Sequence, residues 1–357
     1  MSRFGWLLVL AAWMLSGCRE PSAPNELVAL LSGAGEGFAQ AEPGMAIELP
    51  EDMGPHRSFR LEWWYLTANL QTTDGEPVGL QWTLFRLGLR PRQGPEPEPG
   101  WQRDELWLAH AALSRPERHL FADKLARGGS GQAGVTLDPF RAWIDQWRFE
   151  ARDADRYRLE VQAPAFAYRL SLAPRLPPVL HGDRGFSAKS AQGGGSMYFS
   201  YPSLAIEGEI EVDGETLAVT GQGWLDREWS SRYLQPGQTG WDWLALHLDD
   251  GRHLMLFRLR GEPDYVTATL VEVDGRARTL QADEFSLRPR AFRYSAGRRI
   301  PVHWRFELPE QGMELEIHAW PGDYWNPGRL EYWEGPVSVQ GSQSGEGYLE
   351  MTGYPER

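Results

Sequence analysis

Short alternations of apolar and polar positions, separated by turn residues, run from about Ile47 to the C-terminus, and helical periodicity is scarce. Alternation of period two is the mark of a half-buried strand. Glu62 to Leu70 is one such segment, rich in aromatics; Asp74-Gly75 turns it and Val78 to Arg86 returns. On the return, Gln81, Thr83 and Phe85 share one face, and Leu80, Trp82, Leu84 and Arg86 share the other. Further strands are predicted over Glu105 to Leu113, Ala142 to Ala151, Tyr157 to Pro164, Ala167 to Leu172, Ser196 to Tyr201, Leu204 to Val212 and Thr216 to Gly223. Gly128 to Gly134 and Gly193 to Gly195 read as flexible loops, Pro91 to Gly100 as a Pro/Gly/Glu loop, and Pro174 to Pro178 as a break.

A second half opens at Gly240 to Leu248, turns at Asp250-Gly251 and returns over His253 to Arg260. It echoes the first hairpin: aromatic entry, Asp-Gly turn, and a return ending Phe-Arg, at Phe85-Arg86 and Phe257-Arg258. Tyr265 to Val273, Ala277 to Gln281, Arg298 to Leu308, Gly312 to Ala319, Tyr332 to Gly335, Val337 to Gly341 and Tyr348 to Tyr354 complete the set. Many short strands with frequent turns predict an all-β fold of sandwich or barrel type, with two related β-units. Closure of an antiparallel sheet removes its edges, and a small barrel can hold one small ligand.

The stretch Gln222 to Ser230, Gln-Gly-Trp-Leu-Asp-Arg-Glu-Trp-Ser, sits at the centre. As a strand it puts Trp224, Asp226 and Glu228 on one face and Leu225, Arg227 and Trp229 on the other. A solvent face does not need the Trp, and a core face does not accept two unpaired acids. An apolar wall and a second carboxylate both raise a carboxyl pKa, which is how a general acid is tuned to neutral pH. The other reading is an acid pair bound to arginines and indole N–H groups at a packed junction. For Glu228 that means a salt bridge to Arg227 or Arg232.

Composition narrows the classes. The 357 residues suffice for two domains, 17 Trp imply extensive aromatic burial, and a net charge of −13 disfavours nucleic acid as a partner. The single cysteine, Cys18, excludes an intrachain disulfide. Arg3, the apolar run Phe4 to Leu15 and Leu15-Ser16-Gly17-Cys18 match a bacterial lipoprotein leader, with Cys18 as the lipidated residue. Arg19 rather than Asp follows, so an outer-membrane anchor facing the periplasm is expected. Residues 19–45, with Pro21, Pro24 and Pro43 and a short helical candidate at Asn25 to Leu31, form a tether. Domains are expected at residues 46–230 and 231–357. No metal-type spacing, P-loop, dinucleotide fingerprint or Gly-x-Ser-x-Gly elbow is present, so neither cofactor nor metal is expected.

Gly54-Pro55-His56, Glu62-Trp63-Trp64-Tyr65, Gln81 to Arg86, Gly223 to Trp229, Gly240 to Trp243, Tyr332-Trp333-Glu334-Gly335 and Gly347-Tyr348-Leu349-Glu350 carry a further resemblance. In number, order and spacing they resemble the AttH-like and carotenoid 1,2-hydratase (hydroxyneurosporene synthase) proteins. The resemblance implies two lipocalin-like antiparallel β-barrel domains packed together, with an apolar or isoprenoid-like ligand between or within them. It implies that Asp226 falls on the carboxylic acid thought to protonate an alkene in the hydratases. Trp224-Leu225 stands where those enzymes carry Tyr-His, and Tyr198 and Tyr201 replace their upstream aromatic/His site. The nearer resemblance is to the secreted AttH-like branch, which tends to accompany ABC transporters of lipid or lipoprotein export.

Two functions follow as expectations. One is a lipid-anchored protein that binds an apolar ligand without turnover, as an accessory to a transporter. The other is a cofactor-independent hydratase, isomerase or hydrolase with Asp226 as general acid and Glu228 tuning it. Trp64, Trp224, Trp241, Trp243 and Trp333 offer ring faces to a ligand, or serve as barrel plugs. Tyr198 and Tyr201 are candidate ligand donors, and Glu62 and Glu334 candidate acids of the same site or ordered buried acids. His56 and His110 are candidate bases or structural histidines.

Overall fold

The computed structural model describes residue 33 and residues 35–91, 104–153 and 155–356. The leader with Cys18 and the helical candidate Asn25 to Leu31 lie outside the described residues, as does nearly all of the loop Pro91 to Gly100. Two antiparallel sheets make up the fold.

The first contains β1 (Leu61–Thr72), β2 (Pro77–Gly88), β3 (Glu105–Arg115), β4 (Arg118–Arg127), β5 (Ala133–Leu137), β6 (Phe140–Ile144), β7 (Trp147–Asp153), β8 (Arg156–Gln162), β9 (Phe166–Pro174), β10 (Val179–Leu180), β11 (Phe186–Ala188), β12 (Gly195–Val212) and β13 (Glu215–Ser230). Its order is β4-β3-β2-β1-β13-β12-β9-β8-β7-β6-β5, with β10 and β11 on β12. The second contains β14 (Gly240–Leu248), β15 (His253–Arg260), β16 (Tyr265–Val271), β17 (Ala277–Leu280), β18 (Ser286–Ser295), β19 (Arg298–Leu308), β20 (Met313–Ala319), β21 (Trp325–Asn326), β22 (Tyr332–Gly341) and β23 (Gly345–Met351). Its order is β17-β16-β15-β14-β23-β22-β20-β19-β18, with β21 on β22. The first sheet curls into a barrel and the second into a half-barrel, which is the expected all-β, lipocalin-like architecture. Lys124 on β4 reaches Asp145 beyond β6 at 2.7 Å and lies over the Trp147 ring, tying together the two ends of the first sheet.

Alternation sorts the side chains into three apolar clusters. Trp64, Leu66, Ala68 and Leu70 of β1 join Trp82, Leu84, Leu225 and Trp229 inside the first barrel. Leu244, Leu246, Leu256, Trp304, Trp333 and Leu349 fill the second. The remaining faces meet each other: Leu61, Tyr65, Tyr198 and Trp224 of the first sheet pack with Trp241, Trp243, Met255, Phe257 and Tyr348 of the second. The central strands β1, β13 and β14 are therefore buried on both faces. That is why every residue of β14 is buried, including His247 and Asp242.

Elements that departed from expectation do so for physical reasons. Ala142 to Ala151 is not one strand but parts of two, because Asp145 adopts φ 52° and turns the chain; Asp tolerates this left-handed region better than most residues. The strands β4 and β18 were not anticipated. Each is the end strand of its sheet, and β18 carries Arg288, Pro289, Arg290 and Arg293, the charges and Pro that blunt an exposed edge and erase alternation. The last two residues of the expected loop Gly128 to Gly134 already belong to β5. Ser196 to Tyr201 and Leu204 to Val212 are one strand, β12, with a bulge between Tyr201 and Leu204.

A buried ion cluster locks the mouth of the first barrel. Glu62 accepts hydrogen bonds from Arg86 and Arg227 and from the backbone N–H of His56 at 2.9 Å. Arg227 also donates to the Gly54 carbonyl at 2.6 Å and lies 3.9 Å from the Trp64 ring centre; Arg86 donates to the carbonyls of His56 and Phe59. Glu62→Ala leaves two buried guanidiniums uncompensated. It is expected to destabilise the protein by about 3–5 kcal/mol, read as a shift in the urea unfolding midpoint; a loss under about 1 kcal/mol contradicts this account.

Candidate functional site

A cavity of about 310 Å³ opens between the two sheets. Trp63, Tyr65, Phe85, Tyr233, Trp241, Trp243 and Phe257 form its aromatic walls, and Leu61, Leu87, Leu106 and Leu108 add aliphatic surface. Asp226, Glu228, Glu62 and Glu350 are the acidic residues among its lining. It lies between the domains, lined mostly by the apolar cluster that the two sheets share rather than by the cluster inside either one.

Asp226 is buried and is held by neutral donors. Its Oδ1 accepts from the Ser200 hydroxyl and from the Trp224 indole N–H at 2.5 Å; its Oδ2 accepts from the Tyr198 hydroxyl at 2.7 Å. Among the described residues no Lys or Arg pairs with it. Burial pushes its pKa up to about 7; the three hydrogen bonds work against that rise and the charge of Glu228 adds to it. Register explains the convergence: Asp226 pairs with Ser200 and Glu228 with Tyr198 across β12 and β13, so alternate residues of both strands point into the junction.

Behind Ser200, His181 continues the chain. Its Nε2 lies 2.7 Å from the Ser200 hydroxyl and its Nδ1 2.8 Å from the Thr269 hydroxyl, and its ring stacks on Tyr198 at 4.0 Å. Burial lowers its pKa to about 3, so the ring is neutral. With Ser200 donating to Asp226, Nε2–H donates to Ser200 and Nδ1 accepts from Thr269.

The other carboxyls differ. Glu228 is paired with the buried Lys189 at 2.8 Å and accepts from Ser196 and from Tyr233 at 3.2 Å. Its cation is thus Lys189, not Arg227, whose side chain points into the first barrel. Lys189 also faces the rings of Tyr198, Tyr233 and Phe257. For Glu62, burial is overcome by the charges of Arg86 and Arg227, which hold it well below the usual carboxylate range. Glu350 accepts from the Trp241 indole at 2.6 Å, and burial pushes its pKa up to about 7. Glu334 accepts from the Tyr65 hydroxyl at 2.5 Å and from Asn326 at 3.4 Å; burial and the neighbouring Glu350 raise its pKa well above the ordinary value.

Trp224, Trp241, Trp243 and Tyr198 come together at the junction with Asp226 and Glu228, and Trp243 donates to the Tyr198 oxygen at 3.2 Å. Glu334 sits behind Tyr65. Trp64 lies in the first barrel, with its indole donating to the Met53 carbonyl at 2.9 Å. Tyr201 faces that barrel too, against Phe199 and Tyr157. Trp333 is buried in the second barrel's core beside Tyr324. These three lie off the cavity, because each is one residue out of phase with the strand positions that face it. His56 stacks on Trp229 at 3.7 Å and bonds Asp52. His110, 2.9 Å from the Tyr332 hydroxyl, is held neutral by burial, with a pKa of about 3.

Sequence reasoning passed over Ser196, Ser200, Lys189, His181, Tyr65, Tyr233 and Glu350. Ser196 and Ser200 were within reach, since both share a face with Tyr198 by simple alternation. Lys189 and Tyr233 lie in connecting segments, where no periodicity marks direction.

The geometry defines a two-domain lipocalin-like β protein whose ligand-sized cavity lies where the domains meet. Residues 40–354 match the AttH-like family model, and the chain belongs to that family. Among solved structures it is similar to an AttH protein from Nitrosomonas europaea, at 37% identity and a TM-score of 0.78, covering 89% of this chain and all of that one. Kievitone hydratase from Nectria haematococca shares the fold at 15% identity, TM-score 0.65, over 89% of this chain and 96% of that one. CghA bound to Sch210972 does so at 15% identity and TM-score 0.54, over 90% and 97%. No curated protein matches in sequence.

Asp226 also shapes the pH dependence of stability. Its folded pKa of about 7 lies above the unfolded value near 4, so between these pH values the folded state binds the extra proton. Stability from this group is greatest at low pH and declines as pH rises towards about 7, by on the order of 4 kcal/mol in total. Asp226→Asn has no such slope. The variant's stability relative to wild type should therefore rise between about pH 5 and pH 8 in denaturant melts; parallel curves contradict the assignment.

Proposed function

We propose that this protein is a cofactor-independent enzyme that uses Asp226 as general acid on an unsaturated, largely apolar substrate held in the junction cavity. The observation that carries this reading is the state of Asp226. It is a carboxyl group on an aromatic-walled cavity, hydrogen-bonded by neutral groups, and protonated in an appreciable fraction near pH 7. Glu62, by contrast, is held between two arginines. The aromatic faces suit the positive charge that develops when an alkene is protonated. Ser200, Tyr198 and Trp224 fix the carboxyl, with neutral His181 holding Ser200 from behind. The hydratase named among the structural neighbours supports the reaction class, water addition or removal, by analogy of fold. The leader sequence and Cys18 support a lipid-anchored enzyme on the periplasmic face of an outer membrane, where apolar substrates partition.

The test uses geraniol, farnesol and geranylgeraniol as probes in deuterated water. Wild type should incorporate deuterium at an alkene carbon, detected by mass spectrometry. Asp226→Asn should lose this roughly 10²- to 10⁴-fold, while quenching of tryptophan fluorescence by the same alcohols stays within about threefold. Deuterium uptake unchanged in Asp226→Asn contradicts the proposal. Saturable binding with no uptake by wild type assigns the cavity to carriage of the ligand instead.

A further inference from the structure

Of the four acidic residues that line the junction cavity, two are neutralised by cations: Glu62 by Arg86 and Arg227, and Glu228 by Lys189. The other two are matched in a different way. Asp226 on β13 takes the indole N–H of Trp224, and Glu350 on β23 takes that of Trp241 at 2.6 Å. They come from the two facing sheets, and both line the same cavity. An indole is a donor that cannot neutralise a charge, so each group can be carboxylic acid or carboxylate without losing its partner. Tyr65, which donates its hydroxyl proton to Glu334, also lies beside Glu350 on the cavity wall.

We infer that Glu350 is a second catalytic residue of this site, accepting the proton that water releases while Asp226 donates one to the substrate. The inference rests on the reading of Asp226 given above. In the hydration direction, the substrate's π electron pair forms a C–H bond with the Asp226 proton, leaving a carboxylate and a carbocation. A lone pair of water forms the C–O bond, and the water's proton passes to the Glu350 carboxylate. One water is added, nothing is oxidised or reduced, and return of the proton from Glu350 to Asp226 resets the site. Near neutral pH the two groups have similar proton affinities, so the pair can hold one proton between them at little cost in either direction. Glu228 and Glu62, each paired with a cation, are unsuited to that exchange.

The experiment compares wild type with Glu350→Gln, which keeps an acceptor for the Trp241 N–H, using the same three alcohols in deuterated, oxygen-18-enriched water. Wild type should incorporate both isotopes. Glu350→Gln should still incorporate deuterium, because protonation and its reversal need only Asp226, but its oxygen-18 incorporation should fall roughly 10²- to 10⁴-fold. Infrared spectra should show two carboxylic C=O contributions that titrate near neutral pH in wild type, from Asp226 and Glu350, and only that of Asp226 in the variant. Loss of both isotopes together, or of neither, overturns the inference while leaving Asp226's role to its own test. A titrating carboxylic band of unchanged intensity in Glu350→Gln also overturns it. A wild type that incorporates neither isotope overturns this inference together with the enzyme reading.

Discussion

A carboxyl group buried without a cation is the constraint on which this structure turns. Removing an ionised carboxylate from water costs several kcal/mol unless a countercharge or a proton comes with it. The protein uses the first solution at Glu62 and Glu228 and the second at Asp226 and Glu350. The difference is not one of depth, since Glu62, Glu228 and Asp226 are all buried. It is set by which strand face and which neighbour each residue meets. Glu62 turns towards Arg86 and Arg227 at the barrel mouth, whereas Asp226 turns towards Tyr198, Ser200 and Trp224.

Such a site requires strands buried on both sides. A barrel wall has one face on its own core and the other in solvent. Here the outer faces of β1, β12 and β13 are covered by β14, β15 and β23, and the cavity is what remains where the two curved surfaces do not meet. That accounts for the tryptophan content. Trp64, Trp82 and Trp229 serve the first barrel, Trp304 and Trp333 the second, and Trp63, Trp224, Trp241 and Trp243 the junction. Each ring covers a large apolar area while its N–H can still donate; Trp224, Trp241 and Trp243 donate theirs to Asp226, Glu350 and the Tyr198 oxygen in turn. The first barrel's wall is in turn held shut by Glu62 between its two arginines, so the same strands carry the lock and the site.

Much of this was legible along the chain because period-two patterning survives wherever a strand has two distinct faces. Gln222 to Ser230 declared its acidic face and its barrel face outright, and the Asp-Gly turns located hairpins. Legibility failed in two kinds of place. End strands such as β18 exchange alternation for charge and Pro, and so read as loops. Partners that arrive from irregular segments carry no directional signal: Lys189 and His181 became visible only when the fold brought them to Glu228 and Ser200. Phase also mattered. Trp64 and Trp333 are as aromatic as Trp63 and Trp243, yet one residue's displacement sends them into the barrels.

The account stands on the protonation state of one side chain. Labelling aspartate carboxyl carbons with carbon-13, and assigning the Asp226 resonance by its loss in Asp226→Asn, allows its titration to be followed directly by NMR. A midpoint near pH 7 is the result predicted here. A midpoint at or below about 4, the ordinary aspartate value, would mean that Asp226 is a charged structural group, and the junction would then have no acid to offer a substrate.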